Sequence, residues 1–116
     1  MPQDTDARER LQAERRRTLQ RLAELTEDFE STVAASLGSN ADDEHDPEGA
    51  TIAFERSQVT SLSRQLRQRL ADVDTALRRW EDGGYGTCTT CGSAIAPERL
   101  EARPAAATCI TCASRT

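Results

Sequence analysis

All four cysteines of the chain lie near its C-terminus as two Cys-x-x-Cys pairs, Cys88 with Cys91 and Cys109 with Cys112, separated by residues 92–108. That spacing falls in the range of a four-cysteine zinc module. Zn²⁺ takes four ligands tetrahedrally with no preference from its d electrons, so a structural site wants two short thiolate hairpins brought face to face by a connecting loop. One Zn²⁺ per chain is therefore the expected cofactor, with Cys88, Cys91, Cys109 and Cys112 as its ligands. A closed four-thiolate site leaves no open position for a substrate, and no nucleophile and base are arranged together elsewhere, so no catalytic role is expected. Two disulfides would need an oxidising compartment, and Met1-Pro2-Gln3-Asp4 contains no basic segment leading into an apolar run. A thioredoxin-like redox pair would need strands alternating with helices around it, which the pattern does not offer.

The remaining residues are too few and too polar for a large core. Phe29, Phe54, Trp80 and Tyr85 are the only aromatics among 116 residues, and 30% of the chain is charged against 36% hydrophobic. This suits a thin pair of helices, which needs one apolar seam and little else. No run approaches the roughly 18 apolar residues of a membrane span, so the chain is expected in the cytoplasm with no membrane contact. Net charge is −5 and the isoelectric point about 4.9, which argues against a general affinity for nucleic acid, because phosphate contacts need clustered cations. The charge is uneven. Residues 42–48 hold Asp42, Asp43, Glu44, Asp46 and Glu48 without a cation, whereas residues 56–79 hold six arginines against Asp72 and Asp74.

From Ile52 the apolar residues recur every seven: Ile52, Val59, Leu66, Val73 and Trp80, with Leu62, Leu70 and Leu77 at companion positions. This is the seam of a coiled-coil helix, and Gly83-Gly84 is placed to stop it. An earlier helix shows Leu11, Thr18, Leu22, Leu25, Phe29 and Val33 on one face before Leu37-Gly38-Ser39-Asn40 breaks the pattern. Facing residues of an antiparallel pair have nearly constant summed numbers. Phe29 with Val59, Leu22 with Leu66, Thr18 with Leu70 and Leu11 with Leu77 all sum to 88, and Leu25 with Leu62 to 87. The same register sets Ser36 against Ile52 and Arg15 against Val73, which is imperfect. The heptads alone also permit pairing between two chains, but the loop from Gly38 to Ala50 is short enough to close at little cost. The expected fold is mostly α: an antiparallel coiled-coil hairpin over residues 1–82, with an acidic tip loop at 38–50, joined to a Cys₄ zinc finger at 83–116. The tip would then stand roughly 40 Å from the zinc module.

The segment Tyr85-Gly86-Thr87-Cys88-Thr89-Thr90-Cys91-Gly92, then Ile95, Arg99-Leu100-Glu101-Ala102-Arg103-Pro104 and Cys109-Ile110-Thr111-Cys112, closely resembles the C4 zinc finger of the DksA/TraR family, in an actinobacterial-like form. The resemblance implies a bacterial transcription regulator that binds RNA polymerase directly, without binding DNA, and passes a coiled-coil tip through the secondary channel toward the catalytic site. Proteobacterial members of that family carry Asp-x-x-Asp-x-Ala at the tip. Here Asp43-Glu44-His45-Asp46 keeps the spacing of the acidic pair, and Glu48 stands where the alanine would be. Asp43, Glu44, His45 and Asp46 are thus the candidate polymerase-contacting residues. Near a Mg²⁺-dependent nucleotidyl-transfer site, carboxylates can ligate or reposition the metal, or compete for the basic groups that hold substrate.

Several of these residues have structural readings as well. Asp46-Pro47-Glu48 is a helix-start signature, with a side chain for the free amides, proline in the first turn and acid near the positive dipole. His45, the only histidine, could titrate near neutrality among its acidic neighbours but reads more readily as a polar loop residue. Arg99, Arg103 and Arg115 fall around the cysteines, where they can balance the excess charge of four thiolates on a dication, or touch the polymerase or an anionic effector such as guanosine tetraphosphate. Trp80 and Tyr85 read as packing between the helix base and the zinc module. Two other classes stay open: a zinc-ribbon nucleic-acid module, which would need a finger more basic than three arginines against two glutamates, and a structural coiled-coil dimer, which would show a doubled mass in place of the expected monomer.

Overall fold

A computed structural model describes residues 5–39 and 47–115, in the order α1 (Thr5–Ser39), α2 (Pro47–Glu81), α3 (Pro97–Ala102) and α4 (Ile110–Ala113). The only sheet-like pairing among the described residues is one antiparallel bridge, Thr87 with Ala94. Both long helices reach further toward each other in sequence than the glycine-containing break suggests. Pro47 opens α2, as the Asp-Pro-Glu signature implies, since its fixed φ and missing N–H suit a first helical turn. The chain divides into two compact units, Met1–Arg17 with Arg69–Thr116, and Thr18–Gln68.

In the first unit, Leu11 and Val73 are fully buried and Ala76 nearly so, with Leu77, Tyr85 and Ala105 packed against them. Residues of both helices and of the cysteine-bearing segment therefore share one small core. Tyr85 serves it twice, because its ring packs there while its hydroxyl donates to the Pro104 carbonyl at 2.7 Å. Trp80 is half-buried beneath the Arg8 guanidinium, 5.4 Å from the ring centroid. The antiparallel register appears in these contacts: Arg8 meets Trp80, and Arg15 Nε donates to Asp74 Oδ1 at 2.8 Å. The expected juxtaposition of Arg15 with Val73 is resolved by rotation. Arg15 turns to the surface and takes Asp74, leaving Val73 to the core.

In the second unit, Thr18 and Leu66 are buried, and Leu22, Leu25, Phe29, Val33, Ile52 and Val59 are half-buried. Arg56 lies over Phe29 at 5.9 Å. One seam position is corrected. Leu62 is 42% exposed, and Ser63 is half-buried in its place. Ser63, Leu70 and Leu77 recur every seven, so Leu62 lies one residue, about 100° of helix rotation, out of phase with the companion stripe.

Helix α2 ends in a Schellman motif. The Gly84 N–H bonds to the Arg79 carbonyl at 2.8 Å and the Gly83 N–H to the Trp80 carbonyl at 3.2 Å, with Gly83 at φ 84°. A Cβ on Gly83 would meet nothing within 4 Å, so Gly83→Ala should cost the left-handed penalty alone, about 1 kcal/mol. A denaturant melt of the zinc-loaded chain checks this, and an unchanged midpoint would refute the strain.

Candidate metal centre

The turn after α2 carries the first cysteine pair. Thr87 bridges Ala94, the Cys88 N–H bonds to the Ser93 carbonyl at 2.8 Å, and the Ile95 N–H to the Gly86 carbonyl at 2.8 Å. These bonds make a tight loop with both cysteines on it. Its closure is the Gly92 N–H to Cys88 carbonyl bond at 3.0 Å, with Gly92 at φ 76°, a conformation that glycine adopts freely. The second pair lies at the start of α4, where Cys109 is the N-cap residue and Cys112 follows within the first turn. The two pairs are tied together by Thr89, whose N–H and hydroxyl both donate to the Ala107 carbonyl, at 2.9 and 3.2 Å. Between the pairs, Pro97 opens α3, and Arg103, the residue before Pro104, ends it outside the helical region at φ −134° and ψ 80°.

The result brings all four Sγ atoms within 4.8 Å of one another. Four sulfurs about 2.3 Å from a tetrahedral Zn²⁺ stand about 3.8 Å apart, and Cys91 Sγ lies 3.7 Å from Cys109 Sγ. The donor set and its spacing fit one zinc. Cys88 is buried, Cys109 and Cys112 are half-buried and Cys91 is exposed.

The thiols differ in acidity because their neighbours differ. Cys88 is lowered to about 6, first by the backbone amide of Cys109 and then by that of Cys91, against an opposing contribution from burial. Cys91 is lowered mainly by the Ser93 hydroxyl and then by the Ser93 amide. Cys112 is pushed up to about 12, first by the Cys109 side chain and then by burial. Amides favour the first thiolates, while crowded sulfur holds a proton on the last. A dication removes that conflict, since it takes four thiolates and releases their protons.

Two arginines brace this site. Arg99 Nε donates to the Thr108 carbonyl at 2.9 Å. Arg79 donates to the Gly84 carbonyl at 2.9 Å and to the Thr87 carbonyl. Sequence reasoning passed over Arg79, because nothing in its spacing separates it from the other arginines of α2. Arg103 and Arg115 are exposed. The tip candidates Asp43, Glu44, His45 and Asp46 lie outside the described residues, so the structure brings together the four cysteines alone among the expected site residues.

Comparison with known proteins agrees with this geometry. Residues 83–116 match the family model of the prokaryotic dksA/traR C4-type zinc finger. The chain is 43% identical over 63 residues to the RNA polymerase-binding transcription factor DksA of Caulobacter vibrioides, a stretch covering 49% of this chain and 44% of that protein. It is 39% identical over 69 residues to an uncharacterized Bacillus subtilis protein, YteA, covering 60% of this chain and 29% of the relative. The matched stretch is thus less than half the length of either. Among solved structures, the DnaK suppressor protein from Agrobacterium tumefaciens C58 aligns over 100% of this chain and 96% of its own, at 27% identity and a TM-score of 0.61. Residues 83–116 thus carry a zinc finger of the dksA/traR C4 type, and the chain shares its fold with the solved DnaK suppressor protein.

Proposed function

We propose that the chain is a DksA-like transcription regulator that binds RNA polymerase by protein contact, reaches the enzyme through its secondary channel and does not bind DNA itself. The observation that carries this reading is the four-cysteine centre at residues 83–116, set in a stretch that resembles a relative named for binding RNA polymerase. Cys88, Cys91, Cys109 and Cys112 ligate one zinc, which holds the finger in shape. Residues 1–82 act as the presenting arm and residues 83–116 as the docking module. Absence of DNA binding is supported by charge. The finger has three arginines against two glutamates, one of the arginines bonded to a carbonyl inside it, so little counterion release is available to drive phosphate contact. No helix among the described residues is long and apolar enough to cross a membrane. In this reading the chain is a monomer that meets its polymerase in the cytoplasm.

In this reading the acidic segment between α1 and α2 acts, through Asp43, Glu44, His45 and Asp46, and the rest positions it. The double variant Asp43→Asn, Asp46→Asn should abolish the effect on transcription in vitro with the cognate polymerase while leaving polymerase binding largely intact. Asparagine caps a helix nearly as well as aspartate, so this replacement separates charge from helix stability. Regulation equal to that of the parent would reduce the acidic segment to a solvated turn.

A further inference from the structure

Arg79 and Arg99 hold the chain at the same point of the two cysteine pairs. Arg79, in the last turns of α2, donates through Nη2 to the carbonyls of Gly84 and Thr87. Arg99, in α3, donates through Nε to the carbonyl of Thr108 at 2.9 Å. Thr87 immediately precedes Cys88, and Thr108 immediately precedes Cys109. Each guanidinium therefore fixes the peptide that leads into the first cysteine of a pair. A peptide unit is planar, so its carbonyl and the following N–H move together. For Thr87–Cys88 both ends are held, the carbonyl by Arg79 and the Cys88 N–H by the Ser93 carbonyl at 2.8 Å. Neither end of that peptide is free to rotate, and the direction in which Cys88 projects its sulfur is set with it.

We propose that Arg79 and Arg99 are positioning residues of the zinc centre, holding the peptides ahead of Cys88 and Cys109 so that the four sulfurs converge. This rests on the assignment of the cysteines as zinc ligands. The chemistry of the braces suits the task. A guanidinium is always charged, its bonds to carbonyls are charge-assisted, and its positive charge compensates a four-thiolate zinc centre of net charge −2. Arg79 also satisfies the Gly84 carbonyl just beyond the end of α2, so the helix terminus and the first cysteine pair share one anchor.

The test uses the full chain loaded with zinc, read by competition with a chromophoric chelator and by the visible spectrum of the Co²⁺-substituted protein. Arg79→Ala and Arg99→Ala should each weaken metal affinity by roughly 10–100-fold, the usual effect of removing an outer partner, and should alter the Co²⁺ ligand-field bands. Arg103→Ala removes the same charge from an exposed position of the finger and should leave both readings unchanged. Arg79→Lys keeps the charge without the forked donor and should fall between the parent and Arg79→Ala. Parental affinity in Arg79→Ala and Arg99→Ala, or an equal loss in Arg103→Ala, would overturn the proposal. Should Arg79→Ala lose helical signal at saturating zinc, Arg79→Lys carries the test: weaker binding supports bracing and parental binding refutes it. A parent chain that holds no zinc would overturn the ligand assignment itself, and the bracing with it.

Discussion

Stripping the zinc should collapse residues 83–116 while most of the α1 and α2 helical signal survives. The finger contributes few buried residues of its own, chiefly Cys88 and Ile95, and its short helices α3 and α4 contain none. Burial on that scale cannot hold a segment of this length, whereas structural zinc supplies on the order of 10 kcal/mol of apparent folding free energy near neutral pH. Cys88→Ser or Cys109→Ser should reproduce the collapse by removing one ligand. Acid should weaken the site in the same direction, because zinc must displace thiol protons, and the Cys112 proton is held most firmly, its pKa standing at about 12 without the metal. Affinity therefore falls as pH falls. Circular dichroism with tyrosine fluorescence during chelation separates the two parts of the chain. Full retention of the finger's signal in metal-free, reduced protein would refute a structural zinc.

Leu11→Ala carries the next largest effect. Its side chain is fully buried in the cluster of Val73, Ala76, Leu77, Tyr85 and Ala105, and truncation leaves a cavity where both long helices and the finger segment meet. About 3 kcal/mol of unfolding free energy should be lost, with faster zinc release, since Tyr85 and Ala105 flank the two cysteine pairs in sequence. Leu62→Ala provides the contrast. At 42% exposure it should cost less than about 1 kcal/mol, and a cost equal to that of Leu11→Ala would return Leu62 to the seam. Denaturant titration of both variants with zinc present makes the comparison.

The cysteine centre was legible because its information is local. Two residues between cysteines make a hairpin, and the hairpins need only a loop to meet. The antiparallel register was legible too, since the constant sum of facing numbers reappears in Arg8 with Trp80 and Arg15 with Asp74. Apolar identity misled at Leu62, where a leucine one residue out of phase attracted notice and Ser63 did not. Ala7 and Ala76 were missed for the opposite reason. Both are buried, but alanine is too common on helix surfaces to mark a seam. Arg79 was illegible, because its role depends on where the carbonyls of Gly84 and Thr87 turn after the helix stops. The acidic segment at Asp43, Glu44, His45 and Asp46 was picked out by composition and resemblance alone, and lies outside the described residues.

Polymerase contact without DNA contact is tested most directly by titrating the zinc-loaded chain against purified cognate RNA polymerase core enzyme and, separately, against duplex DNA. Saturable one-to-one binding to the enzyme is expected, retained in the Asp43→Asn, Asp46→Asn variant, lost in Cys109→Ser and absent for DNA. Salt-sensitive binding to bare duplex with no affinity for the polymerase would contradict it and make the finger a nucleic-acid module.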